Sequence, residues 1–156
     1  STASISDAGA SGNETVSIKH ISRATVTADH TKNGYRLPTE AEWEYIAREA
    51  GTSTTTYSGS DTIDDVAWYS SNSSSKTHEV KGKNANSLGI YDMSGNVGEM
   101  CNTPFGTFKD GKIQWTLCGG DFNSDANDVL ANSKKGFDTD EKSPTIGFRL
   151  AIRKEE

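Results

Sequence analysis

The sequence has no long apolar run, no basic stripe and few soft metal ligands, and each shortage removes a class of function. Nowhere does it approach the roughly 20 consecutive apolar residues of a membrane-spanning helix, so direct membrane insertion by this chain is not expected. Lysine and arginine number 16 against 22 acidic residues, for a net charge of -6, and the basic residues are dispersed. Phosphate-backbone binding therefore lacks its electrostatic term, which excludes nucleic acid as a partner. The three histidines, His20, His30 and His78, are too scattered for a histidine metal motif. There is no G-x-S-x-G turn to present a serine nucleophile. Cysteine is limited to Cys101 and Cys118, which allow one pairing. If bridged, they would close a loop of about 17 residues, worth roughly 3 kcal/mol when unstrained; the alternative is two reduced, half-buried thiols.

What remains is a polar chain with a small apolar reserve. Only 32% of residues are apolar and the mean hydropathy is -0.68, so the core must rest on a few large side chains, Trp43, Trp68 and Trp115 among them. The length suits one domain. Residues 1–14 are small, polar and aperiodic and read as a flexible lead-in, leaving 15–156 as a single domain. Residues 15–27 (TVSIKHISRATVT) are rich in β-branched types and predict one or two short strands. Pro38 and Thr39 open a helix, with Glu42 at capping-box spacing and Gly51 as its stop; Trp43, Ile46, Ala47 and Ala50 share one face. Residues 51–86 read as loop pinned by Val66, Ala67, Trp68 and Tyr69. Ile113, Trp115 and Leu117 alternate as in a half-buried strand, and Phe148, Leu150 and Ile152 predict a C-terminal strand to pair with it. Between these lies a segment of about 30 residues with little periodicity, and such a loop inside one domain is usually functional.

Four blocks stand in order: GYRLPTEAEWEY at 34–45, NSLGIYDMSGNVGE at 86–99, Gly119-Gly120, and Gly147-Phe148-Arg149. Together they closely resemble the formylglycine-generating (sulfatase-modifying) enzyme family. The resemblance implies an α+β, C-type-lectin-like fold with a twisted antiparallel sheet and much irregular loop. Arg36, just before the helix, reads as a structural group whose planar fork holds a carboxylate or loop carbonyls. Some family members bind calcium at the second block, which here maps to the carbonyls of Gly95 and Val97 with the side chain of Glu99. Three oxygens are few for calcium, and the alternative is that Asn96 and Glu99 bond local backbone. No cofactor is required by this reading, and calcium is the candidate.

The oxidase branch of the family binds copper through a cysteine pair in the segment after the double glycine. Counted from Gly119, those positions fall near Ser124 and Val129, and neither is cysteine. A hydroxyl does not replace a soft sulfur ligand, so that chemistry is not expected. A second branch uses non-haem iron with histidines from an additional domain, which three dispersed histidines do not support.

The segment 119–146 is rich in Asn, Asp and Ser and ends in IGFRLA. It looks like the variable region of surface-displayed variable proteins of diversity-generating retroelements, which share this scaffold. By that likeness Phe122, Asn123, Asp125, Asn127, Asp128 and Asn132 are ligand-facing. Lys134, Lys135, Phe137, Asp138 and Asp140 extend the set. The alternative is an ordinary solvated loop without a ligand. The aromatics would anchor a ligand within a polar rim, and the acidic excess favours a partner that is neutral or basic where it docks. The expected function is non-catalytic recognition of a protein or cell-surface ligand. The domain is expected to be monomeric and at the cell surface or otherwise extracytoplasmic, with any signal or lipid anchor outside these residues. The competing reading is a formylglycine-generating-type oxidase relative or another enzyme of the family.

Overall fold

The structure, a computed structural model, describes residues 34–152. The expected lead-in at 1–14, the strands at 15–27, and His20 and His30 lie outside the described residues.

Helix α1 (Glu40–Ala47) forms where its capping signals place it. The Thr39 hydroxyl accepts from the Glu42 amide at 3.2 Å, and the Thr39 amide donates to the Glu42 carboxylate at 2.9 Å. Arg36 grips the same carboxylate in bidentate fashion, at 2.7 and 2.6 Å, and donates to the Leu37 carbonyl at 3.2 Å. The helix ends at Ala47, short of the expected stop. Glu49 and Ala50 already have positive φ, so Ala50 sits in the closing turn and not on the buried face.

The segment read as loop from 51 to 86 contains two short elements. Helix α2 (Ile63–Val66) runs directly into strand β1 (Ala67–Trp68), which pairs in parallel with β2 (Ser94–Gly95). The signal was the apolar step from Val66 to Ala67, both now buried. Much of the rest is held by Asn86. Its side chain donates to the Ile46 carbonyl and to Ser58 and accepts from the amides of Leu88 and Ile90.

The main sheet has the order β5-β4-β3-β6, with β3 at Gly98–Thr107, β4 at Ile113–Cys118, β5 at Lys134–Phe137 and β6 at Ile146–Gly147. β4 runs antiparallel to both β3 and β5, whereas β6 runs parallel to β3. Two expectations are corrected here. The expected strand over 148–152 does not form, apart from an isolated bridge of Ala151 to Arg36; the short β6 before it pairs with β3, not β4, and Phe148, Leu150 and Ile152 are all more than half exposed because Arg149 takes the inward position between them. On β4 the expected inward row is Ile113, Trp115 and Leu117. Ile113 is exposed, and Thr116 and Cys118 of the opposite row are buried with Leu117.

The core beneath the sheet consists of Trp43, Ala47, Met93, Cys101, Cys118 and Ala131, with Ile46 and Ile90 against it. At its centre stands one buried carboxylate. The Oε2 of Glu99 accepts from the Trp43 indole at 2.6 Å and from Nε of Arg149, and its Oε1 accepts from Nη2 of Arg149 at 2.6 Å. Arg149 also reaches the carbonyl of Tyr91 at 3.0 Å. Gly119 leaves room for the indole, since a Cβ there would stand 2.9 Å from Cζ2 of Trp43. The four motif blocks thus meet around Trp43 and Glu99.

Two outcomes follow. Arg149→Ala leaves Glu99 charged and buried without its cation, and is expected to lower unfolding stability by about 3–5 kcal/mol in urea titrations. The Arg36 guanidinium, with the Thr39 cap, holds the Glu42 carboxyl down to about 2. A depressed carboxyl stabilises above its unfolded value, and that contribution disappears as pH falls through the folded value. Glu42→Gln is therefore expected to cost about 1 kcal/mol at neutral pH, allowing for solvent screening of this exposed pair. The difference from the parent should vanish between pH 4.5 and about 2 in pH-dependent unfolding.

Candidate functional site

The aperiodic segment after β4 is an ordered excursion whose two ends are tied together. Gly119 donates to the Ser133 carbonyl at 3.0 Å, and Cys118 stands opposite Lys134 in the β4–β5 ladder. Gly120 has φ +67, and a Cβ there would lie 2.3 Å from the Asp128 carbonyl oxygen and 2.8 Å from Cγ1 of Val129. That close approach folds the segment back on itself, with a single 3-10 turn at Ala126–Asp128.

Several side chains hold this path. Asp121 is buried, accepts from the Asn123 amide at 2.9 Å and pairs with Lys135 at 3.1 Å. The Ser124 hydroxyl accepts from the Asp121 amide, and Ser133 accepts from the Leu130 amide. Val129 and Ala131 are buried. A second loop braces the segment from outside. The Asn96 carbonyl accepts from the Phe122 amide, Ser73 donates to the Phe122 carbonyl at 2.7 Å, and the Ser70 amide donates to the Ser124 carbonyl. Asn96 in turn exchanges hydrogen bonds with the backbone of His78, whose ring stacks on Trp68 at 3.8 Å.

This frame divides the expected ligand-facing residues. Asn123, Asp125, Asn127, Asp128 and Asn132 are exposed. The side chains of Asn123, Asn127, Asp128 and Asn132 form no hydrogen bond or ion pair among the described residues, and Asp125 accepts only a long contact from Ser70 at 3.4 Å. Lys134 and Lys135 are exposed but engaged: Lys134 pairs with Glu40 on α1, and Lys135 with Asp121. Asp138 and Asp140 lie at the far end of β5, where both meet Lys112 of the β3–β4 hairpin. Phe122 and Phe137 correct the expectation, with only 4% and 6% of their surface exposed. Phe122 is drawn inward by the bonds to both its peptide groups, and Phe137 stands opposite Trp115 in the ladder. The expected aromatic anchors are therefore part of the support.

Asn127, Asp128, Asn132, Lys134 and Lys135, with Ser124, Leu130 and Ser133, line a half-open groove of about 440 Å³ floored by Leu117 and Gly120. Leu130 and Ser133 were not among the residues expected from sequence. Their signal is the hydroxyl three residues after Leu130, a local side-chain turn that fixes the groove wall.

Both metal readings meet side chains that are already bonded or buried. Glu99, the charged member of the expected calcium set with Gly95 and Val97, is buried and committed to Arg149 and Trp43, so calcium would have to displace an ion pair. At the two positions that carry thiolates in the oxidase branch, Ser124 bonds the Asp121 amide and Val129 is buried against Gly120. Both are unsuited to copper. Among the described residues, no group of three or more His, Cys, Asp or Glu is placed to hold a metal ion.

Comparison with known proteins agrees with this architecture. Residues 5–154 match the sulfatase-modifying factor enzyme 1-like domain, and the chain belongs to that family. It is similar to the chaperone protein LppX of Paenibacillus barcinonensis, with 38% identity over 155 residues, covering 83% of this chain and 53% of that protein. Among solved structures it is similar to variable protein 1 of Treponema denticola and to CarF. Each has 34% identity and a TM-score of 0.70, over 81% of this chain and 50% of the other. The chain thus spans about half the length of these relatives.

Two measurements follow from the geometry. Gly120→Ala is expected to cost about 2–4 kcal/mol in urea unfolding, since the clash is with backbone and the φ is unfavourable for alanine. Adding calcium to about 1 mM, or removing it with a chelator, should leave the melting temperature unchanged, whereas a rise with calcium would reinstate the Glu99 site.

Proposed function

We propose that this domain is a non-catalytic recognition module that displays an exchangeable polar face on a fixed sulfatase-modifying-type scaffold. The single observation that carries the reading is the separation of roles within residues 121–135. Among the described residues, the exposed side chains at 123, 127, 128 and 132 hold nothing in place, while Ser124, Val129 and Ala131 between them are bonded or buried. A face of that kind accepts substitution without disturbing its support. The similarity to a Treponema variable protein supports the same reading.

The ligand is a protein or another cell-surface molecule, met at the cell surface or elsewhere outside the cytoplasm. Affinity comes from hydrogen bonds and from the groove, not from Phe122 or Phe137. Both lysines of the groove already have carboxylate partners, so Asp128 carries its uncompensated charge and favours a partner that is neutral or basic at the contact. The competing oxidase reading draws on family membership, but the side chains at 124 and 129 lack the sulfur it needs.

Sequencing this locus from independent isolates tests the proposal. Differences should concentrate at codons 123, 125, 127, 128 and 132 and spare 121, 122, 129 and 131, with a near-copy of the segment and a reverse transcriptase gene nearby. Uniform variation along the chain would reject diversification. Oxygen consumption with copper and a cysteine-containing peptide should stay at background, and turnover would favour the oxidase reading.

A further inference from the structure

We propose that Cys101 and Cys118 form a cross-strand disulfide when the chain folds in an oxidising medium, clamping the strand from which the groove segment departs. Both side chains are 2% exposed, and their sulfurs stand 3.5 Å apart. In the β3–β4 ladder Cys101 is opposite Thr116 and Cys118 is opposite Glu99, which makes the two cysteines diagonal neighbours on one face. The register shift that follows Cys101 bends β3 next to the pair. The sulfurs need to close by about 1.5 Å to reach bonding distance, which for a diagonal pair takes a small backbone adjustment as well as side-chain rotation. Their surroundings are the apolar core of Trp43, Met93 and Ala131.

The placement gives the bond a consequence. Cys118 directly precedes Gly119, where the segment leaves, and stands opposite Lys134, where it returns. A bridge to Cys101 would fasten that junction to β3, whatever the segment binds. The reaction balances with a small-molecule disulfide as oxidant. One cysteine thiolate attacks it, forming a mixed disulfide and expelling one thiol. The second cysteine then attacks the mixed disulfide, closing the Sγ–Sγ bond and expelling the other thiol. Two protons and two electrons leave the cysteines, and the oxidant is reduced to two thiols. In the folded dithiol, the contact with Cys101 and burial push the Cys118 thiol up, which suppresses the attacking thiolate. The redox state is therefore set while the chain folds.

Refolding the full chain in a buffer of reduced and oxidised glutathione, with and without urea, tests this. After acid quench and alkylation, intact mass and non-reduced peptide maps report the bridge. The ratio of bridged to free protein should be at least about tenfold higher under native conditions, because the fold holds the sulfurs together. The bridged form should melt about 6–12 °C above the dithiol form. Cys101→Ala and Cys118→Ala should each abolish the redox dependence. Equal ratios in native buffer and urea, separate glutathione adducts on the two cysteines, or a bridged form no more stable than the dithiol would each overturn the proposal. The wild-type mass measurement decides the matter even if neither variant folds.

Discussion

The structure depends on one buried carboxylate. Glu99 lies in the core on β3, where an unpaired charge would cost several kcal/mol, and it is tolerated because Trp43 and Arg149 supply directed donors to its oxygens. Those donors come from opposite ends of the described chain. The helix, the central strand and the C-terminal segment are thereby fixed to one another at a single point. With so few apolar residues in the chain, this interaction supplies orientation that a larger hydrophobic core would otherwise provide.

The groove takes its geometry from that point outward. Gly119 packs against the Trp43 indole, Gly120 folds the following backbone against Asp128 and Val129, and the β4–β5 ladder brings the segment back. Bracing from Asn96, Ser70 and Ser73 completes the support through hydrogen bonds to main-chain groups at 122 and 124. Contacts to main chain do not care which side chain stands at 123, 127 or 132. Side chains whose identity can change without moving the backbone would suit the recognition surface proposed above.

The sequence made some of this legible and concealed the rest for physical reasons. Local signals succeeded: the capping box at Thr39 and Glu42 required only a short spacing. The motif blocks implied the family and the fold. Long-range pairing was not readable. The alternation at 148, 150 and 152 looks like a buried strand, but the inward residue is Arg149, because a buried acid on another strand draws it in. Phe122 and Phe137 look like exposed anchors inside a polar run. Hydrogen bonds to its main chain from Asn96 and Ser73, distant in sequence, turn the first inward, and the second lies on edge strand β5, which has no periodicity to announce it, opposite Trp115.

On the proposed function, the exposed face is energetically separate from its support. Replacing Asn123, Asn127, Asp128 and Asn132 together, for example by serine, tyrosine, alanine and threonine, and following native-state hydrogen exchange tests it most directly. The amides of α1, β3 and β4 are predicted to keep their parent protection, each within about 0.5 kcal/mol of opening free energy. Protection lost at Trp43 or along β3 would show instead that the face helps to hold the fold.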